Sequence, residues 1–537
     1  MKKTSIHFGI VILTAVVFML AFTGCPGARV DPYGHLPGKT FRAQDMNEEF
    51  YDVPARLLAE GTYCDIWVES FLDFTPTQAS ALAAVYDNGI RPNMLDAFSL
   101  GTPLENPMNH AKITTNPIDY ADYWGNGDGK LTILILDIKG GNERFYVAGY
   151  FYPVDILYTT SQYSNSNGRD MIYLNIRTNP GSAGSNKTLS HELQHLINFA
   201  FDLGIRSTYN PGTNVLSIDN MDLWINEGLS SAAEYLYDLN HNMERIAHYN
   251  NHSNDGQGNI NGLIFAGNNF YVWGESPDYI LDEYATVYLF FQWLRLQAKT
   301  EAVYKNIGNS SASDFGAVEQ AMLGKGNYAS DGPISWETLL KDWFAANFLT
   351  TTKTPTTISG TYGTTPKHSY MNDPILSQIT ATVIGSSANF IAGTNTPVKL
   401  QLFPGEGVYS RIINTTKPAI LGTGSGSHIV YAGIEIDKNG VGSGTVAENN
   451  LYTNGFLMTY NKNTDNSVKN YSYNHLLEDS YFFASMVPSS PAFAIQNNNQ
   501  RSLMPNLSGP HAISLGDMQR MNGYTTGIDY KQLNIVR

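Results

Sequence analysis

The chain has 537 residues, and 48 acidic against 33 basic residues give it a formal net charge of −15. This acidic balance argues against nucleic acid as a partner. Charged residues make up 15% of the sequence and aromatic residues 12%, which excludes a disordered chain and indicates a globular one, long enough for more than one domain.

The first 24 residues have the features of an export signal. Met1-Lys-Lys is basic, residues 10–22 form an uncharged, mostly apolar run, and small residues precede Cys25. Cys25 directly after Thr-Gly resembles the lipobox of bacterial lipoproteins, although Phe22 stands where Leu is usual. That resemblance implies cleavage before Cys25, a lipid on its sulfur and attachment to a membrane. The alternative is an ordinary exported protein with Cys25 near its cleavage site. Both interpretations place the mature chain outside the cytoplasm, in the bacterial cell envelope or secreted.

Residues 25–60 are predicted to be a tether or linker. The stretch begins with closely spaced Pro and Gly and then mixes charged and aromatic residues without a clear period. Residues 61–69 alternate as a strand does, and Cys64 within them is expected to pack in a core, since nothing basic flanks it. If Cys25 carries lipid, Cys64 has no cysteine left for an intrachain disulfide.

The next stretch has the pattern of a helix followed by buried strands. The helix is predicted over residues 76–98, capped by Thr75 and interrupted at Gly89. Three strands are predicted at residues 131–138, 147–157 and 170–176. The first of them is almost continuously apolar and is expected to be central. Residues 126–129, Asn-Gly-Asp-Gly, indicate a turn; a calcium loop is the alternative, but the terminal Glu of such a loop is missing.

A further helix is predicted over residues 188–200. Apolar residues recur there at helical spacing. Ser190 or Thr188 can cap its start, and Gly204 can end it.

This helix carries the pattern His-Glu-x-x-His. Residues four apart in a helix lie one turn above each other, so His191 and His195 present two imidazoles to one point, as two metal ligands must. Glu192 is near enough to act as a base on a water at that metal. The alternative is a surface helix with two solvated histidines.

A catalytic zinc site uses three protein ligands, whereas a structural one uses four. A third histidine of the metzincin kind is excluded, because the chain has Asn198 and Phe201 where Gly and His are needed. A second helix is predicted over residues 223–237, and Glu227 in its first turns can complete a His/His/Glu set. Glu234 returns to the same face two turns later, as a candidate acceptor for a ligand N–H. The alternatives are an acid placed for the helix dipole at Glu227 and a solvated residue at Glu234.

The rest of the chain divides into a helical part and a β-rich part. The predicted elements are a polar loop at 250–273 that borders the site, an apolar helix at 282–296 and an amphipathic helix at 335–347. Residues 350–365 are rich in Thr, Gly and Pro and are predicted to be a linker. Short alternating runs over 366–537 predict a β-rich module, for which a sandwich is one arrangement.

The segments His-Glu-Leu-Gln-His-Leu and Trp-Ile-Asn-Glu-Gly-Leu-Ser resemble a gluzincin metallopeptidase. More closely, the chain is similar to the hyicolysin family of secreted bacterial neutral metallopeptidases, from about Gly61 to Leu349. The resemblance implies an α+β fold, with a zincin-like domain over 61–355 in which a sheet subdomain and a helical subdomain surround the cleft. The β-rich module over 366–537 would follow it.

The resemblance also implies a zinc-dependent endopeptidase that acts on proteins or peptides. The implied Zn²⁺ ligands are His191, His195 and Glu227. Glu192 is the implied general base. A Tyr or His of the helical subdomain is implied to hydrogen-bond the developing oxyanion; Tyr284 and Tyr288 are the candidates, with Tyr284 preferred near the helix start. The alternative is that both are core aromatic residues.

Two other functions remain open from the sequence. One is a non-catalytic surface lipoprotein that binds extracellular ligands and uses zinc only structurally. The other is an aminopeptidase of the same clan, which needs an acidic clamp for the substrate amine. The chain has no Gly-x-Met-Glu-Asn-type strand before His191 to supply such a clamp.

Overall fold

The computed structural model describes residues 31–99, 129–350 and 366–379, with gaps at 48, 142–144, 158–163, 211–214, 251–269, 272–276 and 372, and separate strands beyond residue 379. The predicted signal peptide, Cys25, residues 126–128 of the predicted turn and most of the predicted loop at 250–273 lie outside the described residues.

A six-stranded sheet forms one layer of the N-terminal half. Its strands are β1 (Gly38–Gln44), β2 (Phe50–Glu60), β3 (Cys64–Glu69), β4 (Leu131–Leu136), β6 (Gly149–Phe151) and β7 (Met171–Asn175), in the order β1-β2-β3-β4-β7-β6. The strand β5 (Phe145–Val147) directly precedes β6. Strands β3, β4 and β7 are parallel, whereas β6 runs antiparallel to β7. Every residue of β4 is buried, as expected for a central strand with both faces covered.

Two predictions are corrected here. Residues 38–60 do not form a tether: they are the antiparallel pair β1 and β2, whose alternate side chains, such as Phe41 and Val53, enter the core. The predicted strand at 147–157 ends at Phe151, and the short helix α3 (Val154–Leu157) follows Pro153. The sheet continues instead through β7.

The helix predicted over 76–98 is continuous but irregular. It consists of α1 (Pro76–Val85), a π-helical turn (Tyr86–Ile90) and α2 (Arg91–Phe98). Thr75 caps its start, because its hydroxyl accepts from the N–H of Gln78 and the Gln78 side chain accepts from the N–H of Thr75. Gly89 lies inside the π turn, so the predicted interruption takes the form of a local widening.

In the residues that the structure describes, seven further helices follow. They are α4 (Ala183–Ile205), α5 (Leu223–Asp238), α6 (Met243–Asn250), α7 (Pro277–Ala298), α8 (Ala302–Gly308), α9 (Phe315–Met322) and α10 (Trp336–Thr350). Single turns of 3₁₀ helix occur at Ile176–Thr178, Gly326–Tyr328, Pro366–His368 and Leu376–Gln378. In the part of the chain that the structure describes, none of the helices is both long and apolar enough to cross a membrane.

Helix α4 begins earlier than predicted. Its cap is Ser182, whose hydroxyl accepts from the N–H of Ser185, so neither Thr188 nor Ser190 starts the helix. The helix ends at Ile205, one residue beyond Gly204. The strands β8 (Ser207–Asn210) and β9 (Val215–Asp219) then form a hairpin that leads into α5.

An aromatic cluster fixes α5 against the other helices. Trp224 lies in its first turn with 1% of its surface exposed. The rings around Trp224, with centroids 5.0–6.2 Å away, are Phe270, Tyr271, Phe290, Phe291 and Trp336. These ring contacts fix Trp224, and Glu227 follows about one turn later in the same helix. The position of Glu227 is therefore fixed as well.

The C-terminal part contains short strands. They are β10 (Val383–Ile384), β11 (Phe390–Ala392), β12 (Val398–Leu402), β13 (Gly407–Ile413), β14 (Ile429–Glu435), β15 (Val446–Glu448), β16 (Asn454–Asn461), β17 (Glu478–Phe482), β18 (Met486–Pro488), β19 (His511–Ile513) and β20 (Gln532–Val536). Five of them form a sheet in the order β10-β13-β16-β14-β15. Strand β19 pairs with β5, and β20 pairs with β9.

The five-stranded sheet packs on α10. The hydroxyl of Tyr409 donates to the carbonyl oxygen of Phe344 at 2.6 Å. Gly407 lies so close to the Phe344 ring that a Cβ there would come within 2.5 Å of it. The helical layer and this sheet therefore share a core, while the domain limits and the sandwich arrangement stay predictions.

Candidate metal centre

Helix α4 carries His191, Glu192 and His195 in its middle turns. All three side chains are buried, with 5%, 2% and 9% of the residue surface exposed. The two imidazole rings lie edge to face, with centroids 4.7 Å apart. The four-residue spacing therefore brings both imidazoles to one place, as predicted from helix geometry.

Helix α5 brings Glu227 to the same place. Its Oε2 atom lies 3.3 Å from His191 Nε2 and 3.5 Å from His195 Nε2. The ligand atoms of the three residues all lie within 4.8 Å of one another, and the three residues are a cluster that can hold a metal ion.

The donor set fits a tetrahedral zinc ion. Zinc binds imidazole nitrogen and carboxylate oxygen at about 2.0–2.2 Å, and a tetrahedron of that size has edges of about 3.3–3.6 Å. The two measured nitrogen-to-oxygen distances, 3.3 and 3.5 Å, match those edges. Two imidazoles and one carboxylate are also the three-ligand set that leaves one position open for chemistry.

Glu234 lies behind His191. Its Oε1 atom is 3.0 Å from His191 Nδ1 and 3.8 Å from Arg245 Nη2, and its Oε2 atom accepts from the side-chain amide of Asn242. A carboxylate is an acceptor only, so His191 carries its proton on Nδ1 and turns Nε2 toward Glu227. The structure thus places Glu234 where an acceptor for a ligand N–H was predicted.

His195 is held by two residues that no sequence motif had predicted. Its Nδ1 atom lies 3.1 Å from Asn226 Oδ1 and 2.9 Å from Ser230 Oγ. Asn226 Oδ1 also accepts from Asn198 Nδ2, and Ser230 donates to Gln194 Oε1. Both groups accept a hydrogen bond from Nδ1 of His195, so the proton is on Nδ1 and the lone pair is on Nε2. Helical spacing could have indicated both residues. Asn226 lies one residue before Glu227 and Ser230 three residues after it, so the helix brings both side chains near that of Glu227.

The ionisation of the cluster follows from burial and charge together. Burial disfavours protonated His191, but the carboxylates of Glu227 and Glu234 outweigh it and hold the pKa of that imidazole well above its usual range. Burial opposes ionisation of Glu227, yet His195 and His191 hold the pKa of its carboxyl well below the usual range. Glu227 is therefore ionised, and a metal ion bound here would displace the proton of the His191 imidazole.

The side chain of Glu192 lies beside strand β6 of the sheet. Burial raises the pKa of its carboxyl, with the two imidazoles and the backbone N–H of Phe151 acting in the opposite direction. A Cβ added to Gly149 would lie 3.5 Å from Glu192 Cγ, so β6 runs directly beside this carboxyl. A carboxylate with a raised pKa is a better proton acceptor near neutral pH.

The two candidate tyrosines lie in different surroundings. The Tyr284 ring packs beside His191, with centroids 6.2 Å apart, and the Arg245 guanidinium lies 4.3 Å from its centroid. The Tyr288 hydroxyl lies 2.9 Å from His241 Nδ1 and accepts from the N–H of Asn242. Tyr284 is therefore next to the cluster, whereas the Tyr288 hydroxyl is engaged away from it.

Comparison with known proteins shows a similarity to a metalloprotease. No protein-family model matches the chain. The chain is similar to the neutral metalloprotease ShpI of Staphylococcus hyicus, with 27% identity over 279 residues, which cover 50% of this chain and 53% of the relative. The chain thus spans about half the length of the curated relative it matches. The similarity supports a relationship to metallopeptidases, and the mixed α+β architecture is compatible with a metalloprotease domain.

Proposed function

We propose that the chain is a zinc-dependent endopeptidase that hydrolyses peptide bonds of proteins. The observation that carries this proposal is the convergence of three ligand atoms, from His191, His195 and Glu227, beside the buried carboxyl of Glu192. The similarity to a neutral metalloprotease supports it.

The residues of the centre have separate tasks. His191, His195 and Glu227 would hold the zinc ion, which when bound supplies Lewis-acid polarisation of the scissile carbonyl and of water. Glu192 accepts the proton of the attacking water and passes it to the departing amine. The N–H of Phe151 donates to the Glu192 carboxyl and so orients the base.

Strand β6 offers a binding edge for substrate. Among the strands that the structure describes, it is the last in the sheet order and pairs with β7 on one side. An extended peptide can add to such an edge by backbone hydrogen bonds. Because Gly149 of β6 lies beside Glu192, a peptide bound there would pass over the base with chain on both sides, which favours internal cleavage.

Tyr284 is the proposed donor to the carbonyl oxygen. Its ring lies against His191 and is 1% exposed. Tyr284→Phe is expected to lower kcat about tenfold or more and to leave KM within about threefold, because the donor acts on charge that develops in the transition state.

For the location, we propose an extracytoplasmic protein, attached to a membrane by lipid on Cys25 or released. The support is the basic start, the apolar run and the Thr-Gly-Cys order that follows it. Metabolic labelling with a fatty acid, compared between the parent and Cys25→Ser, tests the anchor.

Cleavage of casein and of a quenched peptide blocked at both ends tests the activity. The parent should cleave both, lose activity with a chelator and regain it with zinc, whereas Glu192→Gln should retain zinc and lose at least about a thousandfold in kcat. A Glu192→Gln variant that cleaves as fast as the parent contradicts the role of Glu192. Bound zinc without cleavage by the parent contradicts the proposed activity and favours a structural site.

A further inference from the structure

Two histidine–aspartate pairs connect the segment 366–379 to the helices. His241 Nε2 lies 3.0 Å from Asp373 Oδ2, and His368 Nε2 lies 3.1 Å from Asp342 Oδ1. The segment belongs to the chain beyond the predicted linker, and Tyr370 within it is buried against Trp343 of α10. The two pairs are chemically alike, but only the first leads toward the metal centre.

The contacts of His241 have a defined direction. Asp373 is an acceptor, so the neutral imidazole of His241 donates from Nε2 and accepts at Nδ1. The hydroxyl of Tyr288, 2.9 Å from Nδ1, supplies that proton, and the same oxygen accepts from the N–H of Asn242 at 2.9 Å. The hydrogen bonds that run from Asp373 through His241 and Tyr288 thereby fix the backbone at Asn242.

Asn242 continues the series to the metal ligand. Its Oδ1 accepts from the N–H of Glu244, where it caps α6, so its Nδ2 must be the group that faces Glu234 Oε2. Glu234 Oε1 in turn accepts from His191 Nδ1 at 3.0 Å. Hydrogen bonds thus connect Asp373 to His191 through His241, Tyr288, the backbone and side chain of Asn242, and Glu234.

We propose that Asp373 is a positioning residue for the metal ligand His191, acting through His241, Tyr288, Asn242 and Glu234. This inference rests on the proposed function, since it concerns the same centre. It makes residues 366–379, beyond the predicted linker, part of the unit that binds the ion.

The surroundings of His241 support a fixed orientation. The Tyr235 ring lies against the imidazole, with centroids 4.7 Å apart, and the Arg295 guanidinium lies 4.4 Å from the centroid of Tyr235. Asp373 Oδ1 accepts from the N–H groups of Ile375 and Leu376, so Oδ2 remains for the imidazole.

Asp373→Asn in the full-length chain is the sharpest test. The Asn oxygen keeps the bonds to Ile375 and Leu376, and its amide nitrogen then faces His241 Nε2, which must accept. His241 is driven to the opposite tautomer, and the Tyr288 hydroxyl loses its acceptor. We expect zinc affinity, measured by competition with a chromophoric chelator, to fall about three- to tenfold. The visible spectrum of the cobalt-substituted protein should shift as well.

Asp342→Asn is the matched control. It makes the same change in the other histidine–aspartate pair, whose Asp342 also accepts from the Tyr328 hydroxyl. We expect this variant to lose thermal stability while its zinc affinity and cobalt spectrum stay as in the parent.

Asn242→Ser provides a second route to the same conclusion. Ser keeps a capping oxygen for α6 but removes the donor to Glu234. If the two positions act in one series, the loss of zinc affinity in the Asp373→Asn/Asn242→Ser double variant is smaller than the product of the single losses.

The outcomes separate the two proposals. A parent that binds no zinc overturns the proposed function. A parent that binds zinc, with Asp373→Asn unchanged in zinc affinity and cobalt spectrum, overturns only the positioning role. Equal losses in Asp373→Asn and Asp342→Asn also overturn it, because a general loss of packing would then account for both.

Discussion

His191 Nδ1 lies 3.0 Å from Glu234 Oε1. This hydrogen bond joins helix α4 to helix α5 behind the three candidate ligand atoms. Glu234 also receives the Asn242 amide and lies 3.8 Å from Arg245 Nη2. The carboxylate remains ionised despite its burial, because these partners hold its pKa below the usual value. It therefore both orients the imidazole and makes it a stronger ligand.

The first prediction concerns this carboxylate. Glu234→Gln keeps the shape but removes the charge, so zinc affinity should fall about 10–100-fold. Competition with a chelator measures the loss. Glu319→Gln is the control: Glu319 accepts from the N–H of Trp336, away from the centre, so its zinc affinity should be that of the parent. Equal affinity in parent and Glu234→Gln would contradict the assignment.

The second prediction separates two adjacent serines of α5. Ser230 Oγ lies 2.9 Å from His195 Nδ1, whereas the buried hydroxyl of Ser231 forms no hydrogen bond with the residues that the structure describes. Ser230→Ala should weaken zinc binding about tenfold. Ser231→Ala should leave it within about twofold. The reverse order of effects would show that Ser230 does not orient His195.

The third prediction concerns the contact between α5 and α7. A Cβ on Gly228 would come within 2.2 Å of Phe291 Cε2, and Gly228 is adjacent to the proposed ligand Glu227. Gly228→Ala should lower the free energy of unfolding by about 1–3 kcal/mol and also weaken zinc binding, because the helix has to shift.

Gly184→Ala is the control for this substitution. Gly184 lies in the first turn of α4 with no atom within 4 Å of an added Cβ. That variant should be as stable as the parent, or more stable by up to about 1 kcal/mol. Urea unfolding of both variants measures the difference, and unchanged stability in Gly228→Ala would mean that the helices lie further apart.

The fourth prediction concerns pH and Asp155. Burial raises the pKa of this carboxyl to about 7, against hydrogen bonds from Tyr173 and Asn167. Because its folded-state pKa lies above that of an unfolded Asp, its contribution to stability is fully present below pH about 4 and is lost as pH rises through about 7. Between those values the parent should lose up to about 4 kcal/mol relative to Asp155→Asn, which has no such ionisation.

Urea unfolding from pH 4.5 to 8.5, with chelator present for both proteins, measures this difference. Metal binding then makes no contribution to the comparison. Parallel pH curves for the parent and Asp155→Asn would show that Asp155 titrates as an ordinary carboxyl.

The parts of the centre that depend on local spacing could be predicted from the sequence. His191 and His195 converge because they lie four residues apart on one helix, and the burial of β4 follows from its apolar composition. The outer strands at 38–60 could not be recognised, since their alternation is weak and their pairing depends on the neighbouring strand. The contact between His241 and Asp373 joins distant parts of the chain, and no local pattern encodes it.

Diffraction from crystals of the zinc-loaded chain, with anomalous data at the zinc absorption edge, tests the central claim most directly. We predict one strong peak within about 2.0–2.2 Å of His191 Nε2, His195 Nε2 and Glu227 Oε2. A zinc peak elsewhere, or a Glu227 carboxylate turned away from both imidazoles, would contradict the account.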